Sequence, residues 1–241
     1  MNREELLQKA KPILFNTAMV KAILNGKKSC TRRVIKLKYV EHALNDPVRV
    51  ERPNISDNTC IRYLCTAPYQ VGDILWVRET WSDPSGEGYP YWYKADFPLH
   101  RAADEVEIRI PVDLVANDYI WSPSIHMPKD AARLFLRVTD IHTERLCDID
   151  HATKISAEGV DIGEHCRQCI KNYGYPCCSD VDEDNGTECG LLDDIRSNFA
   201  DLWDSTVKKQ DIDRYGWKAN QWVWVIEFER VEAEESEDKN E

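Results

Sequence analysis

The sequence lacks any apolar run near the roughly 20 residues that a membrane-spanning helix requires. It opens Met-Asn-Arg-Glu-Glu-Leu-Leu, polar and acidic, where a secretory leader would show a basic start and an apolar stretch. No internal repeat is visible. Positive charge is scarce: 43 acidic residues stand against 31 basic ones, a net charge of −12. That balance suits neither a membrane surface nor a long nucleic-acid duplex, because gripping a duplex takes many lysine and arginine contacts to phosphate. These absences lead us to expect a cytoplasmic protein that takes small ligands or short single strands, with no membrane partner and no long duplex DNA.

The charge is also uneven. The last ten residues carry −5, and residues 161–190 carry another −5, which leaves −2 for all the rest. Against this, the stretch Lys21 to Lys38 holds seven basic residues and no acidic one. A local reversal of that kind marks a place where an anion or polar ligand can be held. Before it, Met19, Val20, Ile23 and Leu24 recur at helical spacing, so residues 17–24 should form an amphipathic helix. Asn16 or Thr17 can cap that helix, and Gly26 sits where a left-handed residue would end it.

Further along, periodicity predicts a helix over 3–10 and short strands at 13–15, 74–81 and 91–96. A long strand is expected over 134–146, then a helix that starts at Asp148 and stops at Gly159. Leu192, Ile195, Phe199, Leu202 and Trp203 define one face of a helix over 191–207, and a last strand fills 222–231. Residues 37–58 read as an irregular excursion. Residues 121–128 hold two prolines and cannot be a regular helix or a central strand.

Nine cysteines in a chain without a leader argue against a disulfide scaffold. Four are scattered and read as small buried hydrophobes. The other five, Cys166, Cys169, Cys177, Cys178 and Cys189, cluster in the acidic stretch 161–190, which has little apolar content. Cys-x-x-Cys followed by further cysteines suits a structural zinc site, and tetrahedral thiolates can organise a loop that has no core. The ligands would be Cys166, Cys169 and Cys189, with Cys177 or Cys178 as the fourth.

The spacing Gly26-x-Lys28-x-x-Thr31-x-Arg33 resembles the signature of the ASCH domain family, and three further blocks follow in the same order as in a phage and prophage group of that family. They run from Gly72 to Trp81, from Trp121 to Pro128 and from Trp222 to Phe228. The resemblance implies an α+β fold: a PUA-like β-barrel decorated with helices. It would be one domain over residues 12–231, with 161–190 as an inserted Cys-rich loop and 232–241 as a disordered acidic tail. It also implies a phage or prophage protein working in the bacterial host.

Members of this family that remove the acetyl group from N4-acetylcytidine use a lysine, a threonine three residues later and a distant glutamate. Lys28 and Thr31 match the first two by position. Glu158 matches the third by its place after the long strand and helix, and Glu79 is the rival acid. Amide hydrolysis asks for a nucleophile, a base and a group that stabilises the oxyanion. Lys28 would be the base for the Thr31 hydroxyl, its pKa lowered by burial among Lys27, Arg32 and Arg33. On a regular strand, however, Lys28 and Thr31 point to opposite faces. Arg32, Arg33, Glu79, Trp81, Tyr93, Ser124 and His126 complete the expected substrate-binding set, with the aromatics stacking a base and the polar groups reading its edge. The competing readings are a module that binds RNA or a modified base without chemistry, and a ribonuclease.

Overall fold

The computed structural model describes residues 1–47, 51, 54–83, 86, 91–96, 121–149, 152–162 and 190–232. It is a mixed α/β structure. The strands are β1 (Lys11–Leu14), β2 (Cys30–Val34), β3 (Ile74–Arg78), β4 (Trp81–Ser82), β5 (Trp92–Tyr93), β6 (Phe135–Arg145) and β7 (Trp222–Val231). The helices are α1 (Arg3–Lys9), α2 (Thr17–Leu24), α3 (Leu37–Leu44), α4 (Asp57–Leu64), α5 (Ala152–Ala157), α6 (Gly190–Thr206) and α7 (Ile212–Tyr215). Five strands form one mixed sheet in the order β1-β3-β6-β7-β2, and β4 pairs with β5. β1 runs parallel to β3, while β3–β6 and β2–β7 are antiparallel. Among the described residues no pairing closes this sheet into a barrel.

The residues group into two compact units. The first takes Met1–Asn25, Asp73–Arg137 and Arg230–Glu241. Its core gathers Leu6 and Ala10 from the first helix region, Ile74 and Trp76 from β3, and Met127, Ala131, Ala132 and Phe135. The helix α1 opens with a capping box in which the Asn2 side chain accepts from the Glu5 amide. In α2 the Asn16 side chain accepts from the Met19 amide, as the sequence suggested, and Val20 and Ile23 are buried.

The second unit takes Gly26–Gly72 and Val138–Glu229. Its core joins Leu146, Ile149, Ile155 and Ile162 to Ile195 and Phe199 of α6, with Cys30, Val223 and Val225 contributed by the strands. Across β2 and β7 the register pairs Cys30 with Glu227, Thr31 with Ile226, Arg32 with Val225 and Arg33 with Trp224. This alternation fixes which side chains share a face. Cys30, Arg32, Val225 and Glu227 lie on one side, and Thr31, Arg33, Trp224 and Ile226 on the other.

Three local expectations change. Residues 37–58 are not irregular throughout: α3 lies there with Val40 and Ala43 turned inward, and α4 starts at Asp57. The strand expected over 74–81 stops at Arg78, and the one over 91–96 shortens to two residues followed by a 3-10 turn at Lys94–Asp96. The helix after the long strand begins at Ala152 rather than at Asp148, which lies in a 3-10 turn at Leu146–Asp148. The Cys-rich stretch with Cys166, Cys169, Cys177, Cys178 and Cys189, and the acidic tail beyond residue 232, lie outside the described residues.

Candidate functional site

The site in the second unit is built by two short backbone segments that meet side by side. Lys28 and Glu158 form an isolated antiparallel bridge, and the Ser29 amide donates to the Ala157 carbonyl at 2.9 Å. Each segment reverses direction beside the bridge through a glycine with positive φ, Gly26 at +67° and Gly159 at +85°. A side chain at either position would be strained, so glycine permits the close turn. On the other side Phe228 of β7 donates its amide to the Ser29 carbonyl at 2.8 Å, which ties the segment to the sheet.

Onto this frame come three buried charged side chains, Lys28, Arg32 and Glu158, and a partly buried fourth, Glu144. Lys28 Nζ donates to Glu158 Oε2 at 2.6 Å and to the Glu158 backbone carbonyl at 2.9 Å. Arg32 donates from a terminal nitrogen to Glu158 Oε1 at 2.8 Å and from Nε to Glu144 Oε1 at 2.7 Å. The Lys28 side chain is 0% exposed, Arg32 2%, Glu158 6% and Glu144 12%. Two cations and two anions thus cancel in a place with almost no water. Burial by itself would raise the Glu158 pKa, but the charges and hydrogen bonds of Lys28 and Arg32 outweigh it and hold the carboxyl below its ordinary range.

Cys30 lies among these groups, its Sγ 3.6 Å from Glu158 Oε1. Burial and the Glu158 charge push its thiol well above the ordinary range, against the pull of Arg32 and Lys28. A thiol so held stays protonated and is no nucleophile. Arg33 is half-buried, and burial lowers its guanidinium pKa.

Of the residues expected here, Lys28, Arg32 and Glu158 converge. Lys28 rests on one oxygen of the Glu158 carboxylate and Arg32 on the other, so a cation and a carboxylate both neighbour it. Thr31 is buried, but strand alternation places its side chain on the face opposite Cys30 and Arg32. Glu144 was not anticipated. It comes from β6, more than a hundred residues away in sequence, and only the pairing of strands brings it to Arg32.

Beside the bridge opens a cleft of about 430 Å³. Lys27, Ser29, Thr153, Ser156, Gly159 and Asp161 supply its polar lining. These residues flank Lys28 and Glu158 along the chain, while the two charged side chains themselves are not part of the lining.

Glu79, Trp81, Tyr93, Ser124 and His126 belong to the first unit. Glu79 is buried and grasped by Arg133, whose Nε and terminal nitrogen reach its two oxygens at 2.9 and 3.0 Å. The same guanidinium donates to both oxygens of Asp96 and lies 3.9 Å from the centre of the Tyr93 ring. Burial raises the Glu79 carboxyl even against Arg133, and pushes the Tyr93 hydroxyl up to about 12. That hydroxyl donates to the Ala131 carbonyl at 2.7 Å. Trp81 packs edge-on against Tyr91 with ring centres 5.6 Å apart. The loop with two prolines makes a 3-10 turn at Ser124–His126, with His126 exposed and Ser124 half-buried. Arg78 donates to the Ile125 carbonyl of that turn. Glu79 and Tyr93 are therefore held by packing and pairing inside their own unit.

Compared with family models, curated proteins and solved structures, the chain matches none of them.

Proposed function

We propose that the chain is an ASCH-type protein of PUA-like fold that hydrolyses the amide of an acylated nucleoside such as N4-acetylcytidine. The observation that carries this reading is the meeting of Lys28 and Glu158, 130 residues apart in sequence, at 2.6 Å in a buried setting. An ammonium beside a carboxylate is an acid–base couple. Shifting the proton from Nζ to Oε2 leaves a neutral amine and a neutral acid, with no change in the net charge of the quartet. The amine then accepts a proton from the attacking hydroxyl, and the pair returns one to the exocyclic nitrogen as its bond to the acyl carbon breaks. Arg32 keeps Glu158 oriented throughout. The cleft of about 430 Å³ is of a size that small-molecule sites use.

Thr31 supplies the attacking hydroxyl in the reading that the family resemblance implies: its oxygen takes the acyl group as the exocyclic amine leaves, and a water then hydrolyses that ester to free acetate and restore the hydroxyl. Its position across β2 makes it the residue to test. Thr31→Ala abolishes release of acetate if the threonine is the nucleophile, and leaves turnover in place if an activated water takes that role. In the same reading Cys166, Cys169 and Cys189, with Cys177 or Cys178, hold a structural zinc ion, and the partners are modified nucleosides or short single-stranded RNA.

A binding module without chemistry is the second reading. It draws on the satisfied state of Lys28, whose ammonium already has a carboxylate and a carbonyl as acceptors. Wild-type protein that binds acylated cytidine and releases no acetate from it would establish this second reading.

A further inference from the structure

The side of the sheet that carries Arg32 holds a second group of donors. Asp140 and His142 stand two residues apart on β6, so both project to one side, and the neighbouring strand β7 brings Glu227 to them. Glu227 pairs in register with Cys30, which places it on the Arg32 side of β7. One ligand atom from each of the three side chains can be chosen so that all lie within 4.8 Å of one another. His142 Nδ1 is 2.7 Å from Asp140 Oδ2, and His142 Nε2 is 4.0 Å from Glu144 Oε2.

We propose that Asp140, His142 and Glu227 form a binding site for a divalent transition-metal ion with a preference for oxygen-rich surroundings, of the manganese type. An imidazole with two carboxylates is a donor set such ions accept, and three protein ligands leave open positions for water or a further ligand. The donors sit on adjacent strands of a sheet, so their separation is held by the ladder rather than by loops. Electrostatics points the same way. Arg32 compensates Glu144, but Asp140 and Glu227 bring two further negative charges to one imidazole. Among the described residues the Glu227 side chain has no ion pair or hydrogen bond of its own. A divalent cation cancels that excess. The site is distinct from the cysteine cluster in ligands and in softness, and it does not depend on the hydrolase reading.

The test is a titration of the full chain with Mn2+, followed by loss of the free-ion paramagnetic resonance signal. Thiolates are poor ligands for this ion, so the cysteine cluster does not compete. The expected result is about one ion per chain, unchanged in the Cys166→Ser, Cys169→Ser double variant. Binding should weaken by roughly tenfold or more in both His142→Ala and Glu227→Gln. Glu227 is exposed and His142 half-buried, and thermal melts confirm that each variant keeps its fold. The proposal is overturned if the wild type binds no Mn2+ at millimolar concentration, or if a folded variant of either ligand binds as tightly as the wild type.

Discussion

Replacing Glu158 with glutamine is the most revealing change the second unit offers. It removes one anion from a quartet of two cations and two anions. Arg32 retains Glu144 as a partner at 2.7 Å. Lys28 does not fare so well: its side chain is 0% exposed, and the carboxylate at 2.6 Å becomes a neutral amide. An ammonium left buried without its counter-ion costs about 3–5 kcal/mol. At roughly 2–4 °C per kcal/mol for a chain of this length, the melting temperature should fall by about 6–20 °C. Removing both charges together, as Lys28→Met with Glu158→Leu, strands no ammonium and leaves Arg32 its partner Glu144, so it should cost less than the single change, since buried pairs exchange for apolar ones at little loss. The assay is thermal and urea unfolding at neutral pH, followed by circular dichroism. A loss below about 1 kcal/mol for Glu158→Gln, the size found for solvent-exposed pairs, would refute the claim that this network is dry. So would a double variant whose loss equals the sum of the two single ones.

Acid should act through the same carboxylate: because the Glu158 pKa is lowered by folding, its stabilisation is complete above its ordinary value of 4.5 and declines as pH falls below it. Unfolding midpoints measured down the acid range should drop in the wild type and flatten in Glu158→Gln. In the first unit, Arg133→Ala should cost about 3–5 kcal/mol in urea melts by stranding buried Glu79, whereas Asp96→Asn should cost under about 1 kcal/mol because Asp96 is half exposed. Arg133→Lys should fall between them, since an ammonium cannot reproduce the two-pronged grip on Glu79. Metal analysis of protein purified without chelators should find about one zinc ion that survives gel filtration, and Cys166→Ser should lose it.

Much of the fold was legible because its elements carry their own signals. α2 shows an apolar stripe and a capping asparagine, and β7 matches its expected span of residues 222–231 because aromatic and β-branched residues crowd it. α3 was missed for a physical reason: no side chain caps its first turn. α4 does carry a cap, in which the Ser56 hydroxyl accepts from the Thr59 amide, but of its eight residues it buries only Cys60 and Ile61.

At the site, the turn glycines and the basic stretch could be read locally. The pairing of Lys28 with Glu158 came only from family resemblance, because residues 130 positions apart leave no local trace of their contact. Glu144 and Arg133 lay beyond reach for the same reason. Each is an ordinary charged residue on or near β6, and only strand pairing and packing set it against Arg32 or Glu79. The sequence shows which charges are neighbours along the chain, so it puts Arg32 near Lys28, but it does not show the distant carboxylate that the two cations share.

The central claim is that Lys28 and Glu158 exchange protons during amide hydrolysis, and Lys28→Arg tests it most directly. Arginine keeps the positive charge and the ion pair but does not give up its proton near neutral pH. The measurement is release of acetate and cytidine from N4-acetylcytidine by wild-type and Lys28→Arg protein, each confirmed folded by circular dichroism. The account predicts turnover by the wild type and none by the folded variant. Turnover by Lys28→Arg at the wild-type rate would contradict it.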